Sequence, residues 1–161
     1  MKTLLFLFIA QITFGQTTNI PDVNFEQKLI DSGYDDVIDG TVLTSNISGL
    51  TTLYASSASI TDFTGIEDFT SLELFDCSDN QLTSLDVSQV PSLTALVCRG
   101  NKLTTLDLSQ NLSLTALVCG YNQLTNFNIT QNSLLTWLHC IENPLVSIDV
   151  TQNPLLSTFV C

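Results

Sequence analysis

From residue 72 to the end of the chain, apolar positions return at one fixed interval, the spacing that separates Cys77 from Cys98. Leucine stands at Leu72, Leu93, Leu114, Leu135 and Leu156, and three residues later come Phe75, Leu96, Leu117, Leu138 and Phe159. Cysteine follows at Cys77, Cys98, Cys119, Cys140 and Cys161, then asparagine at Asn80, Asn101, Asn122 and Asn143. A second apolar set closes each unit, as in Leu82, Leu85 and Val87 or Leu103, Leu106 and Leu108. A degenerate first unit, longer by a single residue, precedes these. It carries Leu50, Leu53, Ala55, Ala58, Ile60, Phe63 and Ile66 in the same places and lacks both the cysteine and the asparagine.

Each unit reads L-x-x-L-x-C-x-x-N-x-L-x-x-L-D-L-S-x-N-x-x, the leucine-rich-repeat pattern with cysteine in one leucine position. Within L-x-x-L-x-C, alternation turns leucine and cysteine inward and the residues between them outward on a short strand. Strands of successive coils then stack in parallel about 4.8 Å apart. The asparagine after the strand can bond backbone groups where the chain turns, and its column repeats that bond coil after coil. The second apolar set lines the opposite wall, where so short a unit leaves little room for a full helix. One coil buries too little to offset the entropy of ordering it, so neighbours must cover each other and the ends need caps. The predicted fold is a leucine-rich-repeat solenoid, mainly β, with an irregular convex side and a short N-terminal helical cap.

The ends differ. Residues 1 to 15 run from Lys2 through an apolar stretch to Gly15 and predict a secretory signal peptide. That stretch falls short of the roughly 20 residues that span a bilayer. Residues 16 to 49 form the predicted cap, with Asp22 capping a helix whose Phe25, Leu29 and Ile30 share one side and Gly33 supplying the stop. The array occupies residues 50 to 161 and stops at Cys161, inside a strand motif. The sequence thus predicts an array incomplete at its C-terminus, with self-association possible through that uncovered end.

Charge narrows the partners. Four basic residues against sixteen acidic ones give a net charge of −12, which repels nucleic-acid phosphates and anionic lipid. The expected partner is an extracellular protein or glycan, with no nucleic acid, no membrane insertion and no cofactor.

Five cysteines in an exported chain suggest disulfides. Parallel strands in register hold neighbouring side chains about 4.8 Å apart with parallel vectors, which suits buried thiols better than bridges and offers zinc no tetrahedral set. His139 adjoins Cys140, but adjacent strand residues face opposite ways, so no nucleophilic dyad follows. Asp86, Asp107 and Asp149 recur by repetition alone, and the chain reads as non-enzymatic with no metal site. The segment from Asp35 to Gly40 partly matches a calcium loop, yet Val37 and Asn46 stand where oxygen ligands belong, which leaves a turn with surface carboxylates. Glycosylation patterns at Asn46, Asn111 and Asn128 carry no functional weight, since the last two recur as repeat positions.

The outward strand positions vary more than the inward ones. One column reads Thr52, Leu74, Ala95, Ala116, Trp137 and Thr158; the next reads Tyr54, Asp76, Val97, Val118, His139 and Val160. Arg99 and Tyr121 lie just beyond the strands. Aromatic side chains on a rigid open face suit binding hot spots, and cross-strand packing alone would also account for them. The candidate ligand-binding residues are Trp137, His139, Tyr121, Arg99, Tyr54 and Asp76.

The repeat unit with its cysteine column resembles the cysteine-ladder repeats of internalin-like bacterial surface proteins, over roughly residues 50 to 161. The segment Ile20-Pro21-Asp22-Val23-Asn24-Phe25-Glu26 resembles the cap of exported leucine-rich-repeat proteins of Gram-negative bacteria. These resemblances imply a secreted or cell-surface location and adhesion through the concave face. A rigid spacer within a larger surface protein is the second reading.

Overall fold

The structure is a computed structural model that describes residues 15 to 161. The predicted leader therefore lies outside the described residues except for Gly15. The cap begins with strand β1 (Thr17–Asn19), passes through helix α1 (Val23–Asp31), and returns as β2 (Thr41–Leu43), which pairs antiparallel with β1. A single helical turn, α2 (Thr44–Ile47), leads into the array.

Helix α1 starts where Asp22 Oδ1 accepts from the N–H groups of Asn24 and Phe25, satisfying two of the donors that a helix start leaves free. It stops because Gly33 takes φ +78°. The Gly33 N–H then donates to the Ile30 carbonyl and the Tyr34 N–H to that of Leu29, which ends the helix in a Schellman turn. Phe25 and Leu29 are buried as expected, while Ile30 is only half-buried. Glu26 shares the inner side and is itself buried. Its Oε1 accepts from the N–H groups of Asp39, Gly40 and Thr41. The acidic loop from Asp35 to Gly40 is therefore wrapped around a carboxylate of this helix.

Six strands follow in strict order: β3 (Thr52–Tyr54), β4 (Leu74–Asp76), β5 (Ala95–Val97), β6 (Ala116–Val118), β7 (Trp137–His139) and β8 (Thr158–Val160). All pair in parallel, and the register joins Thr52, Leu74, Ala95, Ala116, Trp137 and Thr158 side by side, the column read from the sequence. Central residues of β3 to β7 point into the core. Fully buried Leu96 and Leu117 each contribute about 1.5 to 3 kcal/mol of gross burial. The convex side is irregular, with one 3₁₀ turn (Ile66–Asp68) and an isolated bridge between Asp107 and Asn128.

The asparagine column bonds as its position predicts. Asn101 Nδ2 donates to the carbonyls of Cys77 and Cys98, while its Oδ1 accepts from the Leu82 N–H at 3.0 Å. Asn80, Asn122 and Asn143 repeat the pattern. The second asparagine of the repeat unit forms another column on the far wall, buried and bonded in a way that its recurrence alone does not show. Asn111, Asn132 and Asn153 are buried, and each Nδ2 bridges two carbonyls, as Asn111 does to Val87 and Val90 at 2.9 Å. A third column of hydroxyls, Thr94, Thr115, Thr136 and Ser157, donates in each case to the carbonyl of the matching position one coil earlier.

The cap is welded on by aromatic packing and by carboxylates. The Phe25 ring meets Phe63 at 4.7 Å, and Phe63 meets Phe75 at 5.0 Å. Asp22 Oδ2 accepts from the N–H and hydroxyl of Thr61 and from the Asp62 N–H, and Thr18 donates to Asp68. At Gly65, φ is +102° and a Cβ would stand 2.6 Å from the Asn19 carbonyl oxygen, so only glycine lets the cap cross there.

The cysteine ladder departs from expectation at its last rung. Cys77, Cys98 and Cys119 are buried free thiols, but Cys140 and Cys161 form a disulfide with Cα atoms 4.6 Å apart. The first four cysteines are fixed by N–H bonds to the next strand, for example Cys119 to the His139 carbonyl. Cys161 follows β8 and is exposed, so its side chain can turn toward Cys140 and escape the parallel alignment that separates the inner rungs. Phe159, in register with the buried Leu138, is 46% exposed.

Candidate functional site

The outward faces of β3 to β8 form one continuous concave surface. Trp137 and His139 leave β7 on that face, separated by the inward Leu138, and the indole is 48% exposed. Trp137 pairs directly with Ala116, so the large ring stands beside a methyl group. Along β5 and β6 the outward side chains are Ala95, Val97, Ala116 and Val118, all partly covered. They make a shallow apolar floor without a hydroxyl, amide or carboxyl group.

A ridge borders this floor where each strand ends. Its residues Ser57, Asp79, Gly100, Tyr121 and Glu142 occupy the left-handed region one after another, with φ between +53° and +66°. Glycine does so freely, whereas a side chain there costs about 1 to 2 kcal/mol. The Tyr121 ring is 49% exposed, and the Arg99 guanidinium lies over it, 5.7 Å from its centroid. Arg99 also faces Asp79 at 3.9 Å. The cationic head is thus shared between an aromatic face and a carboxylate.

His139 extends from the same strand as Trp137 toward the ridge and lies over Gly120. Its Nδ1 is buried and has no hydrogen-bond partner among the described residues. Cys140 points inward from the next position and is disulfide-bonded, so imidazole and sulfur occupy opposite sides of the sheet.

The sequence-derived candidates fall into two groups. Trp137, His139, Tyr121 and Arg99 gather at the β5 to β7 end. Asp76 and Tyr54, the latter 61% exposed, pair across β4 and β3. They lie three and four strand steps from His139, about 14 and 19 Å. Asp76 Oδ1 accepts from the Ser78 N–H and hydroxyl, leaving its second oxygen available. Asp79, Gly120 and Glu142 also border the face, and none of them is among the candidates named from the sequence. The available signal was Gly100, whose place in the column of Asp79, Tyr121 and Glu142 marks a tight turn at the strand end.

Burial pushes the Cys119 thiol up to about 12 and likewise raises Cys77 and Cys98 well above the ordinary thiol value, so they are not nucleophiles at neutral pH. Hydrogen bonds from Ser88, Ser109 and Thr151 hold Asp86, Asp107 and Asp149 below the ordinary carboxylate range. Among the described residues, no three His, Cys, Asp or Glu side chains are arranged to hold a metal, and no helix is long and apolar enough to cross a membrane.

Solved structures share this architecture. The functional domain of InlJ from Listeria monocytogenes, which includes a cysteine ladder, is 39% identical over 94% of this chain with a TM-score of 0.84. A leucine-rich-repeat protein of Leptospira interrogans is 27% identical over 69% of the chain, with a TM-score of 0.66. An internalin of Listeria monocytogenes, InlF, shares the fold at 19% identity over 86% of the chain, with a TM-score of 0.68. The chain spans about a third of the length of the first two, 34% and 31%, and 42% of InlF. No protein-family model and no curated protein matches it.

Proposed function

Because this chain is an internalin-like leucine-rich-repeat protein with cysteine-ladder repeats, we propose that it is a non-catalytic, extracellular binding or adhesion module. Its ligand, a protein or a glycan, contacts the concave face. The supporting observation is the placement of Trp137 and Tyr121, each about half exposed beside the small residues of β5 and β6. An indole left half in water stabilises the solenoid little, and rigid, exposed aromatics beside an Arg are the anchors that binding surfaces favour. The constancy of the buried columns supplies the stiffness, so little conformational entropy is lost when a partner docks.

The site extends from Trp137, His139, Tyr121 and Arg99 toward Asp76 and Tyr54 as a secondary contact zone. The leader at residues 1 to 15, a secreted or surface location, and the division into cap and array belong to the same proposal. The rigid-spacer reading differs in requiring nothing of the concave side chains.

The test is an array of glycans and extracellular proteins probed with the mature chain and with a Trp137→Ala, His139→Ala double variant of verified fold. Selective binding that the variant loses supports the adhesion module and its site. Absence of binding by either protein favours the spacer.

A further inference from the structure

We infer that the concave face selects a protein segment with an apolar tip flanked by lysine or arginine side chains; this rests on the binding reading above and specifies its partner. The floor comes first. Ala95, Val97, Ala116 and Val118 present only hydrocarbon, and Trp137 rises beside Ala116 as a wall. A sugar's hydroxyl groups would find no side-chain donor or acceptor on that floor, whereas an aromatic or branched aliphatic side chain would bury against it without stranding a polar group. A charge-poor centre with Trp, Tyr and Arg at its margin is also the composition of a protein interface core.

The rim supplies the second half. Asp76 lies on the β4 side, and Asp79 and Glu142 lie on the ridge, both exposed. The one cation of the ridge, Arg99, is already engaged by Asp79 and by the Tyr121 ring. From Leu50 onward, Arg99 and Lys102 are the only basic residues against ten acidic ones. The field over the face is therefore negative, and it attracts cationic segments while repelling acidic ones. The two parts act on different rates: rim charges steer association, and the aromatic anchor slows dissociation.

The probe is a phage-displayed library of random dodecapeptides, selected on the immobilised chain, with individual peptides then measured on three proteins. These are the native chain, Trp137→Ala, and an Asp76→Asn, Glu142→Gln double variant, which keeps acceptor oxygens at both sites. Enriched peptides are expected to carry an aromatic or leucine residue flanked by Lys or Arg. They should bind Trp137→Ala about tenfold more weakly or worse. On the amide variant they should associate several-fold more slowly, with a shallower salt dependence than on the native chain. Peptides that need Trp137 but show no basic excess and ignore the amide changes would overturn the inference and leave the binding reading standing. If no enriched peptide depends on Trp137, this inference fails, and the array of glycans and extracellular proteins decides separately whether the binding reading falls with it.

Discussion

His139 lies over Gly120 so closely that a Cβ added at Gly120 would stand 3.1 Å from its Nδ1 and 3.0 Å from the Ile141 carbonyl oxygen. The residue one coil earlier thus decides where the imidazole can lie. A Gly120→Ala variant is expected to lose about 1 to 3 kcal/mol of stability, since both neighbours are crowded and one is backbone. Chemical denaturation measures the loss. If the same variant also weakens partner binding while a surface Gln110→Ala variant does neither, the seat of His139 matters to the face as well as to the fold.

Tyr121 occupies left-handed backbone at φ +55°, so glycine and alanine should behave differently there. Tyr121→Gly relieves the backbone, and Tyr121→Ala keeps the strain while losing the ring. The glycine variant is expected to exceed the alanine variant in stability by about 1 kcal/mol. Both should lose the contribution of the ring to binding. Equal melting temperatures for the two would show that the ridge is not strained at this position.

The asparagine ladder predicts a large cost for a small deletion. Asn101→Ala strands the Leu82 N–H and weakens the satisfaction of the Cys77 and Cys98 carbonyls. The expected loss is on the order of 3 kcal/mol. Asn126→Ala, at an exposed position, should stay within about 0.5 kcal/mol of the parent protein. Comparable urea midpoints for the two variants would contradict this account of the ladder.

Thiol chemistry separates the rungs. The native protein should show no fast reaction with a disulfide-exchange reagent, because burial suppresses the thiolates of Cys77, Cys98 and Cys119. Denaturation without reduction should release three thiols, and reduction first should release five. Five thiols without reduction would mean that Cys140 and Cys161 are not bridged.

The join between cap and array should weaken in acid. Partial burial pushes the Asp22 carboxyl upward, but hydrogen bonds from Thr61, Phe25 and Asn24 outweigh it and hold the group below its ordinary value of 3.8. A depressed folded value means that the stabilisation is complete above the ordinary value and is lost as pH falls through the folded one. Asp22→Ala should cost roughly 2 kcal/mol at neutral pH and should flatten the acid limb of the stability profile. An unchanged acid limb would assign the pH dependence to other carboxylates.

Much of this structure could be read from spacing. The constant interval between columns fixes register, because a strand shifted by one position would turn Leu117 outward and Val118 inward. Three features needed more than the period. Asn132 stands at a fixed position of the repeat unit, but recurrence does not show burial; the first member of its column is Val90, a fully buried apolar residue, and that substitution was the available sign that the column faces inward. Glu26 lies three residues before Leu29 and so falls on the packed side of α1, where helical spacing could have flagged it. The bridge between Cys140 and Cys161 had no such sign, because equal spacing cannot distinguish a held rung from a free one.

The three ladders join each coil to the coils directly before and after it. Length is consequently an adjustable variable, in the manner of a ruler with evenly cut marks. Removing residues 99 to 119 would bring Gly120 directly after Cys98 and leave every column continuous, with Asn122 now bonding the coil of Cys98 to that of Cys77. Such a shortened chain would keep its cap and its last coil and lose one step of about 4.8 Å between them. Any partner spanning both ends of the concave face would feel that change, whereas one seated on a single coil would not.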